Sequence, residues 1–197
     1  INTGFEYAIR SSVKNQSFES WARSTDFTIN NPPFEGFIDP GFPTNTLLMW
    51  RAGVRVRFKQ EYVDRPDLKY VVDNKYPTIA IQYSTAIPHG GFLDPEYGFI
   101  KFSVEDQMPL GMAGTFNYSV SHGRFLYANQ TSFMDLSHFN GNRTILSDFN
   151  RERFDLLDYY KYSTESSFLT AYVEHAFGGL LLNKIPLVRK LKLNEIA

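Results

Sequence analysis

Along much of this chain, apolar and polar positions alternate with the period of two that sends successive side chains to opposite faces of a β-strand. The longest run covers residues 48–62. There Leu48, Trp50, Ala52, Val54, Val56, Phe58 and Tyr62 alternate with Met49, Arg51, Gly53, Arg55, Arg57, Lys59 and Glu61. One face is oily; the other carries three arginines, a lysine and a glutamate. The pattern recurs at Phe5, Tyr7, Ile9 and Val13 against Glu6, Arg10 and Lys14, and at Ile79, Ile81, Tyr83, Thr85 and Ile87 against Thr78, Gln82 and Ser84. It returns at Ile100, Phe102 and Val104 against Lys101, Ser103 and Glu105, and at Phe116, Tyr118 and Val120 against Thr115, Asn117 and Ser119. Five strands are predicted, with weaker candidates at 21–29 and 168–182. Turn formers separate them: Asn30-Asn31-Pro32-Pro33, Asp39-Pro40-Gly41, Pro88-His89-Gly90-Gly91 and Asn140-Gly141-Asn142. A helix competes over 148–162, where Phe149, Arg153, Leu156 and Leu157 can share a face, and a short helical turn is predicted at 186–191 behind Pro186. The fold class that follows is all-β, an antiparallel meander.

Alternation is common to a soluble β-sandwich and a membrane β-barrel, so the fold class does not choose between them. The 197 residues suit one unit, and because the first methionine is Met49 the native start is expected upstream. Twenty basic against 21 acidic residues, a net charge of -1, leave no electrostatic footprint for nucleic acid. The absence of cysteine removes disulfides and thiolate metal sites. No apolar run is long enough for a transmembrane helix, a test that barrel strands escape. Aromatic residues reach 16% of the chain, and tyrosines gather near segment ends at Tyr62, Tyr70, Tyr76, Tyr97, Tyr127, Tyr159, Tyr160 and Tyr162, where an interfacial girdle would sit. On the residues alone, a transmembrane barrel and a soluble β-domain stay level.

Motifs for chemistry are sparse. His89, His122, His138 and His175 show no metal-pair spacing, and no cofactor or metal is expected. No nucleophile elbow occurs, and Glu105 and Asp106 are adjacent on a strand and therefore point to opposite faces, so catalysis is not expected. Asp64, Asp67, Asp73 and Asn74 share a loop that could hold calcium or simply be solvated. The sequons at Asn15, Asn117, Asn129 and Asn142 carry no meaning in a bacterial envelope. The row Arg51, Arg55, Arg57, Lys59 and Glu61 is the main candidate site: facing a lumen, it would pair with carboxylates such as Glu105 and Glu174, filling the barrel or favouring anions. The competing soluble form would be a carbohydrate-binding sandwich that uses Trp21, Trp50 and Tyr83 as stacking platforms.

The C-terminal third adds motifs of another kind. Gly141-Asn142-Arg143-Thr144, Asp148-Phe149-Asn150 and the run from Tyr172 through His175 and Gly178-Gly179-Leu180 precede Asn183-Lys184-Ile185-Pro186-Leu187-Val188-Arg189-Lys190-Leu191-Lys192. This order resembles a family of poorly characterised Bacteroidota outer-membrane proteins, in which a carboxypeptidase-regulatory-like domain precedes a C-terminal barrel. Lys75-Tyr76-Pro77-Thr78 and Met108-Pro109-Leu110-Gly111 agree, so the resemblance spans roughly residues 47–197. It implies a transmembrane barrel distantly similar to surface-antigen and outer-membrane-assembly proteins. The implied partners are the lipid bilayer and other envelope proteins, with a role in transport, assembly or surface reception. The regulatory-like domain is not in this chain, and an aromatic closing strand is missing at Ala197. Residues 1–197 are therefore expected to be one barrel segment of a parent that extends at both ends.

Overall fold

The computed structural model describes residues 1–11, 18–20, 23–25, 44–73, 76–142, 153–158, 160–179, 182–185 and 190. Its strands are β1 (Asn2–Arg10), β2 (Phe18–Ser20), β3 (Arg23–Thr25), β4 (Asn45–Arg57), β5 (Glu61–Arg65), β6 (Leu68–Asp73), β7 (Thr78–Ala86), β8 (Glu96–Pro109), β9 (Thr115–Gln130), β10 (Gly141–Asn142), β11 (Phe154–Asp155) and β12 (Ser167–Ala176). Three single 3-10 turns, Gly111–Ala113, Phe133–Asp135 and Leu182–Lys184, are the helical elements among the described residues. The fold is all-β. Its frame is one six-stranded antiparallel sheet in the order β1-β4-β7-β8-β9-β12, with β2-β3, β5-β6 and β10-β11 as separate two-stranded pairs. Beta-branched and aromatic residues supply most of the apolar positions in these strands, as a pleated half-covered surface requires.

The ladder preserves the alternation across every strand. Phe5 stands opposite Trp50, Val54 opposite Ile81, Ile81 opposite Phe102, Val104 opposite Val120 and Leu169 opposite His122, all on one face. The other face gathers Glu6, Met49, Arg51, Ala80, Gln82, Lys101, Ser103, Ser121 and Phe168. The apolar face is the more open one: Phe5, Val54, Ile81, Phe102, Val120 and Leu169 are 37–76% exposed, while Trp50, Ile79, Tyr83, Ile100 and Val104 on the same face are half-buried. The buried core of Leu47, Met49, Ala86, Tyr97 and Phe125 lies on the mainly polar face, at the end of the sheet where β1 finishes and β8 begins. Residues 131–166, between β9 and β12, contribute the Phe133–Asp135 turn to that end. Within the large sheet the strands meet as hydrogen-bonded neighbours, and Phe154 of the β10-β11 pair packs its ring on Tyr172 of β12, on the polar face, at 4.8 Å.

Several expectations shift in detail. The strand read over 48–62 ends at Arg57: Lys59 adopts a left-handed φ of 48°, and Glu61 opens the separate β5-β6 hairpin. β8 and β9 run further than their alternating cores, since β9 passes Gly123 and a register shift opposite Gly98 and Phe99 before ending at Gln130. The weak candidate at 168–182 is strand to Ala176, whereas only Arg23–Thr25 of the 21–29 candidate is described, as strand. The described part of 148–162 is not helical: Phe154–Asp155 is a strand paired parallel to Gly141–Asn142. Val13, Lys14, the two proline-rich turns before residue 44 and the helical turn at 186–191 lie outside the described residues, apart from Lys190.

Candidate functional site

The polar face of β4, β7 and β8 carries the predicted charge row in part. Arg51, Arg55 and Arg57 share that face, whereas Lys59 and Glu61 lie beyond the strand and do not continue it. Lys59 instead turns its ammonium over the Tyr76 ring at 5.5 Å. Arg51 pairs with Glu6 at 2.6 Å, not with Glu105 or Glu174. Glu174 accepts from Asn117 Nδ2 at 3.0 Å, across the β9–β12 ladder. Glu105 stands level with Arg57, but Thr78 of β7 intervenes, and no ion pair joins them. Asp106 faces the opposite side, beside Tyr118.

The covered end of the same face is built around a side chain that alternation alone did not single out. Arg10 closes β1 and directs its guanidinium to Asp135, with Nη1–Oδ1 at 2.7 Å and Nη2–Oδ2 at 3.3 Å, while Nε donates to Asn45 Oδ1 at 2.9 Å. Asp135 Oδ2 also accepts from Ser132 N at 2.9 Å and Ser132 Oγ at 2.6 Å. The pair is 15% and 1% exposed, a buried charge pair with its hydrogen bonds filled. It ties a strand at one edge of the sheet to the connection that leaves β9, four strands away in the sheet order. The signal in the chain was Ser132-x-x-Asp135, a capping-box spacing.

His138 lies in the same connection. One ring nitrogen, Nε2, contacts the Phe133 carbonyl at 2.9 Å and the other, Nδ1, contacts Ser163 Oγ at 2.7 Å. The rings of Phe133 and Tyr160 enclose it at 4.6 and 5.1 Å. Desolvation lowers its pKa from the ordinary histidine value, and the Phe133 carbonyl partly opposes that. The remaining histidines are scattered. His89 faces Asp94 at 3.3 Å in the 87–95 loop, His122 Nδ1 meets the Phe168 carbonyl at 2.9 Å, and His175 Nε2 meets the Ala113 carbonyl at 2.8 Å. Asp94 also takes the backbone N–H groups of Gly91 and His89, and the Gly91 bond leads in lowering its pKa. Among the described residues, no three His, Asp or Glu side chains form a metal-binding group.

Other candidates fall in separate places. Asp64 pairs with Lys69 across the β5-β6 hairpin at 3.8 Å, and Asp73 sits at its far end opposite Glu61, so the acidic loop is spread along a hairpin. Trp50 and Tyr83 meet edge to face at 6.0 Å on the apolar face; Trp21 lies outside the described residues. Tyr97 is no rim residue, because its inward register buries it against Phe125. Of the motif at 183–187, Lys184 and Ile185 are exposed at a 3-10 turn that Ile185 N closes on the Leu182 carbonyl; Pro186 and Leu187 lie outside the described residues.

These features define an all-β protein with one extended antiparallel sheet, an uncovered apolar face and a polar face closed at one end by an ion-paired turn. The chain belongs to a family of unknown function, DUF5686, whose C-terminal domain matches residues 1–197. The match includes the first forty residues, which the motifs alone had left aside. No curated protein and no solved structure matches it.

Proposed function

We propose that this domain is a wall segment of a transmembrane β-barrel in a bacterial outer membrane, with a transport, assembly or surface-receptor role and no catalysis of its own. The carrying observation is the inverted dressing of the sheet: among the described residues the large exposed side chains of the sheet stand on the apolar face, while the polar face holds the only buried hydrophobic cluster. Hydrocarbon is the solvent that matches such a face, and Arg51, Arg55 and Arg57 then line the lumen. A sandwich would need a second sheet against the apolar rows, which would bury Phe5, Ile81, Phe102 and Leu169, and these are exposed. The likeness of residues 183–192 to Bacteroidota outer-membrane proteins points the same way. The six antiparallel strands described leave β1 and β12 running in opposite directions, so any further strands that close the sheet come in an even number. The parent protein is expected to stay with detergent-extracted outer membranes and to migrate faster on a gel unboiled than boiled. Full solubility without detergent would overturn the proposal.

A further inference from the structure

An open pocket of about 430 Å3 lies beside the start of β12, lined by His122, Arg124, Glu165, Ser166 and Ser167, with Phe125 and Ala128 from the covered face at its back. Its place on the sheet is informative. Arg124 shares a row with Ile100 and Ser167, and the next row on the same face is His122, Phe102 and Leu169. Leu169 is among the most exposed apolar side chains of the sheet, and Leu126 is exposed just past Arg124. The pocket thus sits at the β9 edge that β12 leaves unpaired beyond Arg124, with His122, Arg124 and Ser167 facing the apolar outer side and Phe125 and Ala128 the core. Within it stand two opposite charges that do not pair with one another. Glu165 uses Oε2 to accept from Thr131 Oγ1 at 2.9 Å, and among the described residues Arg124 has no ion-pair partner. His122 has already committed Nδ1 to the Phe168 carbonyl.

We propose that this pocket binds the zwitterionic headgroup of a phosphoethanolamine lipid from the outer face of the barrel. The assignment rests on the membrane reading above. Arg124 presents a planar donor fork suited to phosphate, with the Ser167 hydroxyl beside it. Glu165 accepts from the primary ammonium, and the acyl chains run down over Phe102 and Leu169. A purely anionic headgroup meets repulsion from Glu165, and a trimethylated ammonium has no N–H to offer it. The volume is that of a small-ligand pocket.

The test uses the full-length parent protein in detergent, with lipid retention read by native mass spectrometry from equimolar phosphatidylethanolamine, phosphatidylcholine and phosphatidylglycerol. Phosphatidylethanolamine is expected to be retained about tenfold over the other two, the ratio that one charge-assisted hydrogen bond gives. R124Q is expected to lower retention of phospholipid generally, and E165Q to remove the preference for the ethanolamine lipid. Both side chains are exposed, so the variants should keep their heat-modifiable migration, which confirms the fold in the same samples. Equal retention of the three lipids, or variants indistinguishable from the wild type, would overturn the site while leaving the barrel standing. A parent protein that is soluble without detergent overturns both.

Discussion

At the scale of single residues, the strongest dependence is on the Arg10–Asp135 pair. D135N keeps the shape of the side chain but leaves a buried guanidinium without its counter-charge, which costs about 3 kcal/mol where such pairs have been broken. Urea unfolding of the parent protein, followed by tryptophan fluorescence, should show an unfolding free energy lowered by that order. An unfolding free energy within about 0.5 kcal/mol of wild type, the range of an ordinary surface substitution, would mean that the pair does not hold the turn. His138 gives a pH dependence with a definite sign. Its folded pKa is lowered, so above the ordinary histidine value neither state is protonated and nothing is lost. As pH falls below 6.5 the unfolded chain takes up the proton before the folded one, and stability declines until the folded pKa is reached. Urea midpoints at pH 7.5 and 5.5 should therefore separate more in the wild type than in H138Q; equal separation would rule out His138 as the source. Neither feature was legible from alternation, because the partners of Arg10 and His138 come from positions 125 and 25 residues away along the chain.

Strands were legible where local pattern and tertiary placement agree, and their ends were not. The apolar positions of β1, β4, β7, β8 and β9 fall on one face as the period of two requires. The strand is shorter than the 48–62 pattern because apolar alternation carries on through Phe58 and Tyr62, while the backbone turns at Lys59 into a second hairpin. The ends of β8 and β9 are decided by their connection. Leu110 N donates to the Gly114 carbonyl at 2.8 Å, and Gly114 has φ 95°, ψ -138°, a conformation that suits glycine alone. A Cβ there would also overlap the Ala176 carbonyl oxygen at the end of β12. G114A is expected to cost about 1–3 kcal/mol, from strain of the size found at such backbone positions. The check is the same urea titration, with G111A as comparison, since a Cβ at Gly111 meets open space although its φ is 59°. If G114A costs no more than G111A, the Ala176 overlap does not matter.

For the whole molecule, the question of which solvent the apolar face meets comes down to one pair of positions. Ile81 lies near the middle of β7, between Val54 and Phe102 on the uncovered face, and Ser103 lies one strand over on the polar face, between Ala80 and Ser121. The chain displays this two-sidedness plainly, but the alternation cannot say which side is wet: that depends on what covers each face, and the covering comes from the 131–166 connection and from chain beyond the sheet. A charge at Ile81 separates the alternatives. In hydrocarbon, I81K costs about 2–4 kcal/mol near the midplane of a barrel. On a face open to water it costs little, because an exposed apolar residue gains nothing from being there. S103E should be mild in a barrel, since the new carboxylate on the wet face lies in the row of Arg55, between Lys101 and Glu105 along its own strand, so opposite and like charges offset. Folding of the urea-denatured parent protein into lipid vesicles, read as the heat-modifiable fraction on a gel, is then expected to fall for I81K and hold for S103E. The reverse order, or an I81K that folds as well in buffer as the wild type, would put water on the apolar face and return the sheet to a soluble protein.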